Sequence, residues 1–131
     1  MLSVLRLAGY AQCDKKVILT SSKTEYLDSA KILQRSVDEK TIIEINPTEI
    51  TITPGDNKLA GPVKSYECAW VKSFKEGKSV IKAAISDQRG DTKNVTITIE
   101  GKGGKVTLLV EVDEMPDKKI KLTADSFEEK K

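Results

Sequence analysis

The chain has 131 residues, one domain's worth at roughly 100–200 residues per domain. Its 38% hydrophobic and 32% charged residues read as an ordinary soluble chain, and a formal net charge of +2 offers no field for wrapping nucleic acid. Histidine is absent, which excludes Ser-His-Asp and Cys-His nucleophilic sites, histidine-ligated zinc or haem, and histidine pH switching; two cysteines alone build no metal or iron–sulfur site.

Residues 1–11 differ from the rest. Met1 to Ala11 contains no acid and is mostly apolar and small. It ends in Gly9-Tyr10-Ala11, with small residues at the −3 and −1 positions of a signal-peptidase site. We read it as the tail of a secretory signal, with Gln12 the first mature residue and about 120 residues left for the domain. The alternative is an extra N-terminal strand or helix. No segment approaches the ~20 apolar residues of a transmembrane helix. In an oxidising periplasm Cys13 and Cys68 are expected to pair, the alternative being two independent cysteines, one buried and one in a frayed end. Closing that loop of about 56 residues stabilises a fold by roughly 4 kcal/mol in the chain-entropy model.

From residue 16 onward, apolar and polar residues alternate with period two, the signature of strands with one face in a core. The expected strands are 16–27, 31–38, 41–46, 49–54, 59–70, 79–86, 92–100, 105–114 and 118–127. Ile50 and Ile52, Ile81, Ala83 and Ile85, Val95, Ile97 and Ile99, and Val106, Leu108 and Val110 form the inward rows. β-Branched residues suit the pleated surface. Asp28 to Ser36 is the most ambiguous stretch, with Asp28-Ser29-Ala30 a turn or a short helical cap.

Turn chemistry separates the runs: Asn46-Pro47, Pro54-Gly55-Asp56-Asn57, Glu76-Gly77-Lys78, Arg89-Gly90-Asp91, Gly101-Lys102-Gly103-Gly104 and Met115-Pro116-Asp117-Lys118. Such spacing makes successive antiparallel hairpins. A meander of this kind hides its edges best by closing, so the expected fold is all-β, an up-and-down barrel, with a β-sandwich as the alternative.

Several motifs bear on chemistry. Tyr66, Cys68 and Trp70 alternate on one strand and share a face, either an aromatic wall of a ligand cavity or a core face. Arg89-Gly90-Asp91 spells an integrin-binding tripeptide, but these are ordinary turn residues. Asp87, Asp91 and Asn94, and likewise Asp113, Glu114 and Asp117, lack the spacing of a calcium loop. Glu44, Glu49, Glu67 and Glu100 lie on strands; Glu44 and Glu100 fall on polar faces, and no inward catalytic pair can be placed. Scattered lysines such as Lys72, Lys75, Lys78 and Lys82 suit exposed strands. Asn94-Val95-Thr96 matches a glycosylation sequon, discounted because Asn94 opens a β-strand.

Two segments carry a family likeness: Lys40-Thr41-Ile42-Ile43-Glu44-Ile45-Asn46 with its following strand, and Trp70 through Gly77 leading into Ser79-Val80-Ile81-Lys82. With the signal-like start and the meander, the chain resembles a lipocalin-like, calycin-type β-barrel of bacterial export over residues 16–127, as a pattern. The Gly-x-Trp that lipocalins carry near the first strand is absent, and the only tryptophan is Trp70. The resemblance implies a small apolar molecule held in the barrel mouth.

The expectation is therefore a periplasmic or secreted, monomeric, non-catalytic binding protein with no cofactor and no metal site. Ile43, Ile45, Tyr66, Trp70, Ile81, Ile97 and Val110 are the candidate ligand-lining residues, with core packing as the alternative role for most. The alternative function is a structural or protein-interaction module of the cell envelope that holds no ligand.

Overall fold

The alternation closes into a barrel. The computed structural model describes residues 15–55, 57–72 and 74–129, and every regular element among them is a strand. In chain order these are β1 (Val17–Leu27), β2 (Leu33–Ile45), β3 (Glu49–Pro54), β4 (Leu59–Lys72), β5 (Glu76–Ser86), β6 (Thr92–Lys102), β7 (Lys105–Val112), β8 (Lys119–Thr123) and β9 (Ser126–Glu129). Each of β2 through β8 pairs antiparallel with its predecessor, and β8 returns to β1. The result is a closed eight-stranded meander with β9 added beyond the closure. Closure leaves no open edge in the ring, which a β-sandwich does not achieve.

The number of strands matches the sequence reading, but two divisions between strands differ, and Glu76-Gly77-Lys78, expected as a turn, opens β5. The runs expected at 31–38 and 41–46 are one strand, β2, because β1 is long enough to pair with both (Lys23 opposite Asp38, Thr20 opposite Ile42). The charged Asp38-Glu39-Lys40 stretch faces solvent or the barrel mouth rather than breaking the strand. The run expected at 118–127 is split in two. Ala124 N still donates to Val106 O of β7 at 2.9 Å, but Asp125 N donates to Thr20 O of β1 at 2.7 Å. Beyond that point the chain leaves β7, and β9 follows β1 alone in the register that β8 began (Leu122 opposite Thr24, Ser126 opposite Thr20).

The interior is built in rows of directly opposed residues, which share a face in an antiparallel pair. Leu19, Ile43 and Ile52 form one such row across β1–β3. Ile81, Ile97, Val110 and Ile120 form another across β5–β8. Leu19, Ile43, Ile45, Ile50, Ile81, Ile97 and Leu108 are fully buried. At ~25 cal/mol per Å² of apolar area, each contributes about 1.5–3 kcal/mol of burial. A one-residue slip of any strand would turn its whole row outward, so this pattern fixes the register.

The two ends of the barrel differ. The end bearing the β2–β3, β4–β5 and β6–β7 turns is plugged. Trp70 of β4 is buried there, and its ring meets Phe127 of β9 at a centroid distance of 5.6 Å; Phe74 meets Phe127 edge-on at 5.0 Å. The strands approach closely under the indole because Gly77 and Gly101 present no side chain. A Cβ at Gly101 would lie 2.7 Å from Trp70 Cζ3, and one at Gly77 would lie 2.7 Å from Trp70 Cδ2. Gly77 also has φ +151, in the region that glycine alone visits freely. The end bearing the β3–β4, β5–β6 and β7–β8 turns is open.

Candidate functional site: the open end of the barrel

The open end leads into a cavity of about 320 Å³. Its walls are Ile43, Ile52, Pro54, Leu59, Ile85, Val95, Val110, Val112, Ile120 and Leu122, with Met115 contributed by the β7–β8 turn. The walls exist because inward rows at this end carry medium-sized aliphatic residues, with no aromatic ring reaching the axis as Trp70 does at the other. The volume falls at the lower end of the range typical of small-molecule pockets, and an apolar wall with few polar groups is their usual make-up.

The charged residues on the lining are Glu39, Asp87, Asp91 and Lys93. Asp91 and Lys93 are exposed and the two others half-exposed, which places them at the mouth. Tyr26 lines the same mouth, and the Arg35 guanidinium stacks on its ring at 4.5 Å. Asp87 also organises the β5–β6 turn: its Oδ1 accepts from Arg89 N at 2.8 Å and from Asp91 N at 3.0 Å. The Arg89-Gly90-Asp91 tripeptide is this side-chain-capped turn, with Gly90 at φ +89.

The β7–β8 turn is tied down at the mouth by Glu114. Its carboxylate accepts from both Asn94 N and Asn94 Nδ2 at 3.0 Å. The Glu114 carboxyl is held below the usual carboxylate range, chiefly by its own backbone N–H, with further help from the Asn94 donors and the nearby Lys93 charge. Asn94 of the sequon is thus engaged on both sides, since Lys64 Nζ donates to its Oδ1. Among the described residues, no group of three His, Cys, Asp or Glu is disposed to hold a metal ion.

Among the described residues, four polar side chains are buried: Ser21, Thr24, Thr41 and Ser79. Two have partners. Ser21 Oγ donates to Lys23 O at 2.9 Å where the β1–β2 register shifts, and Ser79 Oγ accepts from Trp70 Nε1 at 2.7 Å and donates to Cys68 Sγ at 3.5 Å. The two others, Thr24 Oγ1 and Thr41 Oγ1, have no hydrogen-bond partner among the described residues. These are also the two that line the cavity.

The candidate ligand-lining residues from the sequence separate along the barrel axis. Ile43 and Val110 line the cavity. Ile45, Ile81 and Ile97 are fully buried but belong to the packed core beneath it. Tyr66 packs against that core partly buried, and Trp70 lies in the plug at the opposite end. Tyr66, Cys68 and Trp70 do share the inward face, as their alternation implies. Glu44 is half-buried and forms an ion pair with Lys16 at 3.3 Å, while Glu100 is exposed. Cys68 is not a free thiol. Its expected partner, Cys13, lies outside the described residues, as does the signal-like segment 1–11.

Thr24 and Thr41 were missed by the sequence reading. Thr41 was detectable, since it sits in phase with Ile43 and Ile45 on an inward row. Thr24 was not, because the register shift between Ser21 and Lys23 moves the inward face of β1 from odd to even positions. Among the described residues, no helix is long and apolar enough to cross a membrane. Compared with protein-family models, with curated proteins and with solved structures, the chain matches none.

Proposed function

We propose that this protein is a non-catalytic, exported carrier that holds a small hydrophobic molecule in the open end of a lipocalin-like barrel. The observation that carries the reading is the apolar cavity of about 320 Å³, open at one end of a barrel whose other end is plugged by aromatic rings. At ~30 Å³ per water-sized group, that volume suits a ligand of about ten heavy atoms. Transfer of such a ligand from water into aliphatic walls is favourable without any reaction. Export fits the signal-like residues 1–11 and a Cys13–Cys68 disulfide. That pairing is checked by alkylating periplasmically expressed protein without reductant: an unmodified mass supports it, and two blocked thiols sink it.

The binding test uses toluene, a small hydrocarbon probe, followed by amide chemical shifts. Saturable shifts confined to strands around Ile43, Val95 and Val110 are expected. Val95→Phe, which places a ring in the cavity, should abolish them while the protein stays folded. Absence of shifts with toluene in the parent protein would overturn the carrier reading in favour of an interaction module without a ligand.

A further inference from the structure

We propose that the plugged end of the barrel docks on an anionic lipid bilayer, with Val71 entering the interface and the lysines of two adjoining turns pairing with lipid phosphates. The proposal concerns the end opposite the cavity and does not rest on the carrier reading.

Val71 is 83% exposed, more than any other large hydrophobic side chain among the described residues. It follows the buried Trp70 near the end of β4. There β4 takes two steps to one of β5: Trp70 lies opposite Gly77, and Lys72 opposite Glu76. Val71 is the extra residue of this bulge, and a bulge re-aims the side chain that it leaves unpaired. Phe74, three residues on, is half-buried with its ring edge-on to Phe127. The aromatic ring of this turn therefore serves the plug, whereas the valine faces water. A lone exposed aliphatic residue is ordinary, so its charged setting decides what it means.

Lys72 and Lys75 flank Val71 on its own turn, and Lys102 and Lys105 face each other across the β6–β7 turn. The two turns adjoin: Gly77 pairs with Gly101, and Lys75 O lies 2.8 Å from where a Gly101 Cβ would stand. Lys78 follows on β5, and all five lysines are exposed. The ion pairs among the described residues, Lys16–Glu44 and Lys119–Glu111, involve none of them. The acids beside them are Glu76 opposite Lys72, Glu100 opposite Lys78, and Asp125, which shares a groove with Lys75. Glu49, Glu128 and Glu129 pair elsewhere on the rim, with Pro62, Ile18 and Val17. At the other end the β5–β6 and β7–β8 turns reverse the balance, with Asp87, Asp91, Asp113, Glu114 and Asp117 against Arg89 and Lys118. The barrel is thus polarised along its axis. An anionic surface attracts the plugged end, repels the mouth and leaves the cavity open to water.

A bilayer fits this end better than a nucleic acid does. Lysines would serve either, but an aliphatic tip gains nothing against phosphates in water. Among the described residues of the two turns, the aromatic ring, Phe74, is engaged with Phe127 rather than presented for base stacking. A bilayer rewards both features. Lysines within a Debye length of an anionic leaflet are attracted to it, and Val71 gains by leaving water at the acyl boundary.

The test is co-sedimentation of the full chain with vesicles of phosphatidylcholine alone or mixed with phosphatidylglycerol. Residues 1–11 are common to every variant, so differences between variants report the patch. The parent should bind mixed vesicles at least about ten-fold more tightly than neutral ones. That preference should vanish at ~1 M salt, where the Debye length is ~3 Å. Lys102→Gln with Lys105→Gln should weaken binding about thirty-fold, the equivalent of two charges at ~1 kcal/mol each. Val71→Ser should weaken it about five-fold, and Val71→Phe should strengthen it. Arg89→Gln with Lys118→Gln, at the open end, should not weaken it. All these positions are exposed, so the variants should keep the Tm of the parent. The proposal is overturned if mixed vesicles bind no better than neutral ones. It is equally overturned if the open-end pair weakens binding as much as the plugged-end pair, or if both Val71 variants leave it unchanged. A short DNA duplex that binds the parent as tightly as mixed vesicles at the same salt also overturns it, the patch then being a general polyanion site. None of these outcomes bears on toluene binding, so the carrier reading stands or falls separately.

Discussion

The two ends of this barrel are made from the same strands but solve the interior problem in opposite ways. At one end Trp70, Phe74 and Phe127 fill the axis, Gly77 and Gly101 let the backbone close under the indole, and Ser79 satisfies the indole N–H. At the other, Val95, Val110, Ile85 and Ile52 leave a hollow edged by charged turns. The difference teaches that a small barrel need not be uniformly filled. One end can supply the packing that a folded state requires, and the other is then free to hold something else. Stability and binding should accordingly respond to different residues, and that separation can be broken experimentally.

The largest effect is expected from removing the plug. Trp70→Ala deletes a buried ring, its stacking on Phe127 and the bond to Ser79, and should cost about 3–5 kcal/mol in urea unfolding. Toluene affinity in the fraction that remains folded should change little. By contrast, Val110→Ala enlarges a hollow that already exists and should cost about 1 kcal/mol or less. Equal penalties at the two positions would erase the contrast between the ends.

Next is the asymmetry in tolerance to added volume. Gly101→Ala drives a methyl to within 2.7 Å of Trp70 Cζ3 and 2.8 Å of Lys75 O. Overpacking of this kind should cost about 1–3 kcal/mol. Val95→Phe adds far more volume, yet it enters the hollow and should change stability by less than ~1 kcal/mol while abolishing binding. If both substitutions destabilise alike, the open end is as tightly packed as the plug in solution.

These contrasts also mark what the sequence could and could not convey. Alternation in Val95-Ile97-Ile99 and Val106-Leu108-Val110 reveals which side chains face inward, because the pleat is local. It does not reveal depth along the axis. Trp70 and Val110 both read as inward, but only the pairing of Trp70 with Gly77 and of Val110 with Ile97 sends one to the plug and the other to the hollow. Register is a property of two strands at once, and no single run contains it. The same limit merged two expected strands into β2 and divided another into β8 and β9. The register shift beyond Ser21 is the sharpest case, since it brings Thr24 into phase with the interior and leaves period two as a poor guide there.

The smallest effect concerns how the mouth is held. Glu114 ties the β7–β8 turn, which carries Met115 over the cavity, to Asn94 at the start of β6. Its carboxyl pKa is lowered on folding, with its own backbone N–H the leading cause. A depressed carboxylate pKa means that the unfolded chain takes up this proton first as pH falls. The contribution is therefore complete above the unfolded pKa and is lost as pH drops through the folded one. Glu114 is fully solvent-exposed, so salt screens the interaction and the effect is modest. Glu114→Gln should lower Tm slightly at pH 7, and the difference from the parent should shrink toward zero below about pH 4. The substitution should leave the plug untouched, so any change in amide exchange should be confined to residues near Asn94 and Met115. Faster exchange around Trp70 instead would mean that the two ends are mechanically coupled, and the division between a supporting end and a binding end would have to be given up.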